Sequence, residues 1–386
     1  MKEIACAVKC ASYENKDVSV AINRCFNELG GAESIFKGKK NVLIKANLMR
    51  KSKPEQCCVT HPAVVLEIAK TAKKYCPNVT VCDSPGGTYN AQALKGIYHA
   101  CGYSDFPKYG INLNYDFDYK STEINGEVLK STDIISPVLQ ADIIINAAKL
   151  KTHMHATYTG AVKNMFGCVP GLLKAELHFN CPETEKFAGA INDISSFTAP
   201  EISFIDAVMS MEGNGPGSGE PRFTGAIIAS KNMYSADLAA LKLINIPPEE
   251  VPILKNANKR GLCDFCVTVT GDDIEEMKVA DFKRSDFADN DVLRGKVPDF
   301  LRAPLNDFFK LKPYIDNKKC VGCGVCAKVC PVKSIKITAA NKAHIKRRKC
   351  IKCFCCQEFC PQKAISGKRN AIISAAVNAT DDRRNN

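Results

Sequence analysis

Short runs of β-branched residues alternate with segments of helical periodicity over the first 295 residues or so of this chain. Five apolar runs predict strands, at 41–46 (NVLIKA), 78–82 (NVTVC), 142–146 (DIIIN), 201–205 (EISFI) and 224–229. Helical spacing predicts helices over 17–29, 61–75 and 234–243, the second with Thr60 as N-cap and Pro62 in its first turn. This alternation is typical of an α/β domain whose sheet is largely parallel, with helices on both faces.

The pattern changes after about residue 295. Residues 296–317 carry Pro298, Pro304 and Pro313 among scattered aromatics, which predicts a packed connector. A 30-residue repeat follows, since CVGCGVCAKVCPVKSI from Cys320 aligns with CIKCFCCQEFCPQKAI from Cys350. The sequence therefore predicts an α/β domain over 1–295, a connector over 296–317, a small α+β domain over 318–367 and a basic or polar tail over 368–386.

Composition narrows the class of protein. With 386 residues, 45% of them hydrophobic and 24% charged, the chain is not collagen-like, disordered or a coiled coil. The opening MKEIACAVK lacks a signal-peptide core, and no uncharged apolar run approaches the ~18 residues of a membrane span. The 21 cysteines then indicate metal or redox chemistry rather than disulfides. We expect a cytoplasmic protein without membrane contact, in an anaerobic host.

The repeated cysteines have the spacing of a bacterial two-cluster ferredoxin. Each copy reads C-x2-C-x2-C-x3-C-P, and in this pattern the fourth cysteine of each copy serves the cluster held by the other copy. We expect two 4Fe-4S clusters. The predicted ligands of the first are Cys320, Cys323, Cys326 and Cys360, and those of the second are Cys350, Cys353, Cys356 and Cys330.

Some cysteines leave alternatives open. Paired C-x2-C spacings also occur in structural zinc sites, although the doubled pattern favours clusters. Cys355 is a spare thiol, because only Cys356 keeps both the x2 and the x3 interval. Outside the repeat, Cys263 and Cys266 are either packed side chains or a redox or metal pair.

Positive charge is concentrated at one end of the chain. The net charge of +12 divides into +13 for residues 318–386, which hold sixteen Lys or Arg against three acids, and −1 for the rest. Such a surface predicts an acidic redox protein of the ferredoxin or flavodoxin type as partner, although a purely solvating surface remains the plainer interpretation. Nucleic acid is disfavoured, since no recognisable nucleic-acid-binding fold accompanies the charge.

Polar residues follow the predicted strands, where ligands bind in open parallel sheets. We expect an anionic small molecule there, held by Lys45, Asn47, Asp83, Lys149, Lys151, Asn164 and Asp206. His153 and Lys163 are candidate catalytic residues, because imidazole moves protons near neutral pH and a lysine binds carboxylate or phosphate. The plain alternative for the densest stretch, 149–164, is a solvated basic loop with one packed histidine.

A glycine-rich loop follows the strand that ends near Asp206. Residues 211–219 (MEGNGPGSG) allow close backbone approach to an anion or cofactor, and Glu212 adds a candidate acid or base. The loop matches neither a Walker nor a Rossmann fingerprint, so a mobile turn is an equally good interpretation.

Taken in order, these segments resemble the bacterial and archaeal domain-of-unknown-function family number 362, fused to a two-cluster ferredoxin domain. The segments that carry the resemblance are VLIKANL, VTHPAVV, VCDSPGG, ADIIINAAKLKTH, TGAVKNMFG, EISFIDAVMSMEGNGPGSGEP and the cysteine repeat. The resemblance implies an iron–sulfur protein of oxidoreductase type. Its implied site residues are Lys45, Asp83, His153, Lys163, Asp206 and Glu212.

A remoter similarity is to the nickel-pincer lactate racemases. His153 and Lys163 have the ten-residue interval of that class, and His178 lies fifteen residues further on. The chain has VTHP at 59–62 instead of the Asp-x-x-Thr-Arg-Pro signature, so the similarity implies a shared fold rather than a shared cofactor or reaction.

The leading hypothesis is an iron–sulfur oxidoreductase whose clusters pass electrons to or from the bound anion. One alternative is an electron-transfer or assembly module without chemistry of its own, and a further one is a metal-dependent isomerase like the lactate racemases. The sequence identifies no organic cofactor.

Overall fold

The computed structural model describes residues 3–285 and 311–368. The predicted connector before residue 311 and the predicted tail after residue 368 therefore lie outside the described residues. The strands are β1 (Ile4–Lys9), β2 (Asn41–Lys45), β3 (Asn78–Cys82), β4 (Asn112–Leu113), β5 (Tyr119–Glu123), β6 (Ser131–Ile135), β7 (Ile143–His153), β8 (Thr157–Thr159), β9 (Ile202–Glu212), β10 (Glu220–Ser230), β11 (Thr268–Gly271), β12 (Lys312–Ile315), β13 (Ile335–Ile337), β14 (Ala343–Ile345) and β15 (Ile365–Lys368).

The helices are α1 (Asn15–Glu28), α2 (Ala32–Phe36), α3 (Pro62–Lys73), α4 (Ala91–Ala100), α5 (Ser136–Gln140), α6 (Ala161–Asn164), α7 (Leu173–Asn180), α8 (Thr184–Thr198), α9 (Met233–Leu243), α10 (Pro252–Lys259), α11 (Val325–Lys328) and α12 (Cys355–Glu358). Short 3-10 turns occupy Pro54–Gln56, Phe106–Tyr109, Met165–Cys168, Pro248–Glu250 and Arg347–Lys349.

The central sheet has the order β11-β1-β10-β9-β7-β2-β3-β4, with β8 added beside β7. Five strand pairs are parallel, and β10 runs antiparallel to both of its neighbours. The predicted α/β class with a largely parallel sheet is confirmed, because buried Val/Ile runs covered on both faces are what a parallel sheet requires.

Apolar side chains of each strand divide between two cores, one on each face of the sheet. In β2, Val42 and Ile44 face one core while Leu43 faces the other. Helices α1, α3 and α4 cover the first face, and α8, α9 and α10 cover the second. Alternation along each strand therefore places helices on both faces, as predicted.

Two strands run further than the sequence predicted. β7 continues past Asn146 to His153, and β9 continues past Ile205 to Glu212, so the polar residues expected in loops lie on strands. The side chains of these polar residues are buried. Because they have hydrogen-bonding partners, the strand can contain buried lysines. The predicted N-cap of α3 is wrong: His61 caps the helix by accepting from Ala63 N, whereas Thr60 Oγ1 donates to Ala147 O.

The cysteine-rich domain (residues 312–368) consists of two small antiparallel pairs, β12 with β15 and β13 with β14, and the short helices α11 and α12. Because β12 pairs with β15, residues 312–315 of the predicted connector are part of this domain. The domain packs against the central sheet at the carboxyl ends of its parallel strands.

Candidate functional site

A cavity lies at the carboxyl ends of β2, β3 and β7, where the cysteine-rich domain covers the sheet. Its volume, counted out to its open mouth, is about 790 Å³. Val329, Cys355, Glu358 and Phe359 of the cysteine-rich domain form one wall. The other wall contains six residues predicted from the sequence: Asn47, Asp83, Lys151, His153, Lys163 and Asn164.

Lys45 and Asp83 form a buried ion pair in this wall. The distance from Lys45 Nζ to Asp83 Oδ1 is 2.6 Å, and Leu48 N donates to the other carboxylate oxygen over 2.5 Å. Gly167 lies directly on the pair, since a Cβ at that position would be 2.3 Å from Lys45 Nζ. A buried pair with these partners shapes the wall instead of presenting a free cation to a ligand.

Lys151 begins a chain of amide hydrogen bonds beneath the cavity. Its Nζ donates to Asn47 Oδ1 and to Cys58 O, each over 2.7 Å. Asn47 Nδ2 donates to Asn164 Oδ1, and Asn164 Nδ2 donates to Asn146 Oδ1. Burial lowers the pKa of Lys151 to about 7. Such a pKa suits a group that gains and loses a proton near neutral pH.

Lys163 is the cation that the cavity leaves available. Among residues 3–285 and 311–368, its Nζ has neither a hydrogen-bond acceptor nor a carboxylate partner, and it lies 5.7 Å from the centre of the Phe166 ring. Burial lowers its pKa, an effect that the negative charge of Glu358 opposes. Its ammonium group is therefore available to a ligand in the cavity.

His153 and Glu358 meet across the domain boundary. His153 Nε2 lies 3.0 Å from Glu358 Oε1, but the ring N–H is poorly aligned with that oxygen. His153 Nδ1 accepts from His155 N and Ala156 N, which places the proton of the neutral ring on Nε2. Burial lowers the pKa of His153 to about 4. The residue therefore presents a neutral N–H donor beside the cavity.

Glu358 remains ionised in this setting. Burial alone would raise its pKa, but the contact with His153 and the positive charge of Lys163 outweigh that effect and hold the pKa well below the usual range. It was not among the predicted site residues. The signal was present, since Glu358 is the only acid between residues 318 and 380.

Lys174 and His178 also line the cavity and were not among the predicted site residues. Lys174 Nζ donates to Ser84 O and Val169 O, each over 2.6 Å, and burial lowers its pKa to about 7. His178 stacks on Phe187 with ring centres 4.2 Å apart, and burial lowers its pKa to about 3. Both belong to α7, a helix that was not predicted from the local sequence pattern.

Lys149 and Asp206 do not line the cavity. Lys149 Nζ is 2.8 Å from Asp206 Oδ2 and 2.9 Å from the hydroxyl of Tyr13. Tyr13 donates to Asp206 Oδ1 and stacks on His61, with ring centres 3.5 Å apart. These residues form a separate, internally paired cluster that ties α1 and α3 to the sheet.

The glycine-rich loop contacts the cysteine-rich domain. Gln357 Nε2 donates to Asn214 O, and Lys363 Nζ donates to Gly219 O. A Cβ at Gly217 would lie 2.6 Å from Glu358 O, so only glycine allows this approach. Glu212 accepts a hydrogen bond from Lys283 N and does not line the cavity. The loop therefore serves as a contact between domains.

Arg50 ties the same elements together. Its Nη1 donates to Glu358 O over 2.7 Å and to Cys360 O over 2.9 Å, and its Nη2 donates to Gly217 O over 2.7 Å. A guanidinium can serve three carbonyls at once because its donors point in fixed, divergent directions. The sequence carried no motif that singled out Arg50.

The first predicted set of cysteines surrounds a small cavity in the cysteine-rich domain. All four of its members line that cavity: Cys320, Cys323, Cys326 and Cys360. Ala343 N donates to Cys320 Sγ, and Ala364 N donates to Cys360 Sγ, as amides do around a cluster. These residues fit a cubane.

The second set, Cys350, Cys353, Cys356 and Cys330, occupies the equivalent position in the other copy of the repeat. Lys352 N donates to Cys350 Sγ, and Ser334 N donates to Cys330 Sγ. Within the described ranges, no three His, Cys, Asp or Glu side chains converge closely enough for a single ion.

The remaining cysteines are thiols. Cys355 is buried and lines the large cavity next to the second set. Cys263 is buried in the α/β core, whereas Cys266 is exposed. Neither belongs to a cluster of metal-binding side chains in the described part of the chain.

Two segments of the chain match models of known protein families. Residues 42–242 match the family model described as "Domain of unknown function (DUF362)", and residues 312–361 match a 4Fe-4S dicluster domain. The thylakoid-associated protein sll1697 of Synechocystis is 28% identical over 259 residues, which span 65% of this chain and 77% of that protein. Subunit I of the F(420)H(2) dehydrogenase of Methanosarcina mazei is 42% identical over 40 residues, 10% of this chain and 23% of that subunit.

Two solved structures overlap with part of the fold. The lactate racemase apoprotein of Thermoanaerobacterium thermosaccharolyticum has a TM-score of 0.40 at 14% identity, and a Thermotoga maritima protein has 0.36 at 12%. Each structural alignment covers 61% of this chain. It covers 55% of the lactate racemase apoprotein and 60% of the Thermotoga maritima protein, less than two thirds of either. Within the described ranges, the helices are too short or too polar to cross a bilayer.

Proposed function

This chain belongs to the DUF362 family and carries a 4Fe-4S dicluster domain, and on that basis we propose that it is an iron–sulfur oxidoreductase. Two 4Fe-4S clusters would exchange electrons with an anionic small molecule bound in the cavity between the domains. The clusters supply one-electron transfer at low potential. As a thiol-rich protein, it would work in a reducing compartment such as the cytoplasm.

One observation carries the proposal: the same cavity is lined by cationic side chains and by neighbours of cluster ligands. Lys151 and Lys163 lie on the α/β side. Cys355 and Phe359 lie on the other side, each adjacent in sequence to a predicted ligand. A molecule in this space would be within short range of a cluster and beside a source of positive charge.

Each residue near the cavity has a distinct proposed role. Lys163 would bind the anion, because its ammonium has no partner of its own among the described residues. His153 would donate a hydrogen bond to the bound molecule from Nε2. Lys151, whose pKa is about 7, would supply or accept the proton that accompanies electron transfer. Lys45 and Asp83 would hold the wall in shape.

Anaerobic reconstitution with iron and sulfide tests the cluster content. We expect about eight iron atoms per chain and the spectroscopic signatures of 4Fe-4S clusters upon reduction. An iron content of about one or two atoms would contradict the proposal of two clusters.

Binding of the anion is tested by mass spectrometry of the small molecules that the reconstituted protein retains. We expect Lys163→Met to lose the retained anion and Lys95→Gln, on the exposed face of α4, to keep it. Equal retention by both variants would contradict the proposed site.

If His153→Gln and Lys163→Met leave a partner system fully active, the chain is instead an electron-transfer module without chemistry of its own.

A further inference from the structure

The two sets of cysteines have unlike surroundings. The first set, with Cys323 as its exposed member, lines a cavity whose other walls come entirely from residues 315–365. The second set borders the α/β domain. Cys353 lines a crevice together with His155, His178 and Cys181, and His178 also lines the large cavity. Cys323 of the first set is therefore open to solvent, whereas Cys353 of the second set lies beside residues of the proposed substrate site.

The surface around Cys323 combines apolar side chains with positive charge. Val321 is 52% exposed and Ile337 is 36% exposed, and both line the cavity of the first set. Lys318 and Lys319 are exposed directly before Cys320. An apolar centre next to lysines is the composition of a transient docking surface for a negatively charged protein.

The charge of the whole domain supports the same partner. Residues 312–368 contain fourteen Lys or Arg and two acids, Asp316 and Glu358, of which Glu358 is buried. Two oxidised clusters with their thiolates would subtract about four charges by formal electron counting, and the surface would remain strongly positive. Long-range attraction would therefore bring an acidic protein to this domain.

We propose that the clusters form an ordered relay, with an acidic redox protein docking over Cys323. This inference rests on the proposed oxidoreductase function. The partner's reduced centre would lose one electron and the molecule in the large cavity would gain it, with the first set of cysteines holding the cluster nearer the partner and the second set holding the cluster nearer that molecule. In the reverse direction the same surface delivers the electron to an oxidised partner.

The test measures cluster reduction in the reconstituted full chain by stopped-flow absorbance. The donor is a chemically reduced acidic plant-type ferredoxin. The test variant is Lys318→Glu/Lys319→Glu. The matched control is Arg347→Glu/Arg348→Glu, which makes the same charge change at exposed positions that border a groove beside Cys350, in the second set. Reduced methyl viologen, which needs no docking surface, checks that every variant carries reducible clusters.

We expect the test variant to be reduced about tenfold more slowly at low salt and to lose most of its dependence on ionic strength. The control should stay within about twofold of the unaltered protein, because its charges lie away from the docking surface. A control that slows as much as the test variant would overturn the proposed surface. So would a donor that fails to reduce clusters that methyl viologen reduces.

The measurement separates this inference from the proposed function. Cluster reduction requires no molecule in the large cavity, so it proceeds whether or not the chain has a substrate. Loss of anion retention in Lys163→Met, together with unchanged reduction kinetics in Lys318→Glu/Lys319→Glu, would support the cavity alone. Unchanged anion retention in Lys163→Met, together with slower reduction of Lys318→Glu/Lys319→Glu, would support the docking surface alone.

Discussion

His153 Nε2 and Glu358 Oε1 lie 3.0 Å apart and connect β7 of the α/β domain to α12 of the cysteine-rich domain. The His153 side chain is 1% exposed and that of Glu358 is 11% exposed, so solvent screens their interaction weakly. This contact places an ionised carboxylate on one wall of the cavity next to a neutral imidazole on the other.

Glu358→Gln and His153→Gln should be non-additive in their effects on stability. Glu358→Gln removes the carboxylate charge that faces the imidazole N–H, and His153→Gln removes the imidazole, so either change alone disrupts the same contact and the double change should cost less than the sum of the two; we expect a coupling free energy of about 1 kcal/mol. Urea unfolding of the four proteins, followed anaerobically by circular dichroism, measures it. Additivity would show that the contact contributes nothing to joining the domains.

Gly86→Ala should push the cysteine-rich domain away from the sheet. A Cβ there would lie 2.1 Å from Cζ of the Phe359 ring, which is too close for any Cβ contact. We expect faster hydrogen exchange over residues 350–361. Phe359→Leu in the same chain should restore slow exchange, because the smaller side chain makes room. No recovery in the double variant would mean that the glycine is needed for another reason.

Arg50→Lys should loosen the glycine-rich loop and the cluster domain together. One ammonium cannot reach the carbonyls of Gly217, Glu358 and Cys360 with the geometry of a guanidinium. Hydrogen exchange should therefore rise over 213–219 and 355–361 in the same variant. Arg222→Lys, which alters a half-exposed ion pair with Asp281, is the matched control and should leave both segments unchanged.

Cys356→Ser should lose one cluster, whereas Cys355→Ser should keep both. Only Cys356 keeps the ligand spacing of the repeat, and Cys355 lines the large cavity instead. Iron analysis after anaerobic reconstitution should give about four and about eight iron atoms per chain, respectively. Equal iron contents would overturn the ligand assignment, and the reverse result would mean that Cys355 is the ligand.

His178→Phe should make stability less sensitive to acid. The pKa of His178 is lowered by burial from 6.5 to about 3, so below pH 6.5 the unfolded chain binds a proton that the folded chain does not. Stability is then lost as pH falls from about 6.5 towards 3, by up to about 1.4 kcal/mol per pH unit for this group.

Phenylalanine keeps the stack on Phe187 and removes the titration of His178. The slope of unfolding free energy against pH between 6.5 and 5 should therefore decrease in His178→Phe, measured on cluster-loaded protein. His99→Gln, on an exposed position of α4, should keep the original slope. An unchanged slope in His178→Phe would show that His178 is not buried as a neutral ring.

The fold followed from local patterns where a pattern repeats along the chain. Runs such as NVLIK and NVTVC are buried on both faces, so their composition alone identified β2 and β3. α7 carries little amphipathic periodicity and was missed. The ends of β7 and β9 were also missed, because charged residues on a strand are tolerable only when distant residues supply partners, as Asp206 does for Lys149.

By itself, the sequence determined the α/β class, the cysteine repeat with its cluster spacing and the concentration of charge at one end. These properties depend on composition and on residues near one another in the chain, where spacing is preserved without any knowledge of folding. The tertiary structure decided which of the polar residues share a cavity. Lys163 and Glu358 are separated by 195 positions in the chain, and docking of the cysteine-rich domain brings them to opposite walls of one cavity, whereas Lys149, only fourteen positions from Lys163, turns to Asp206 instead.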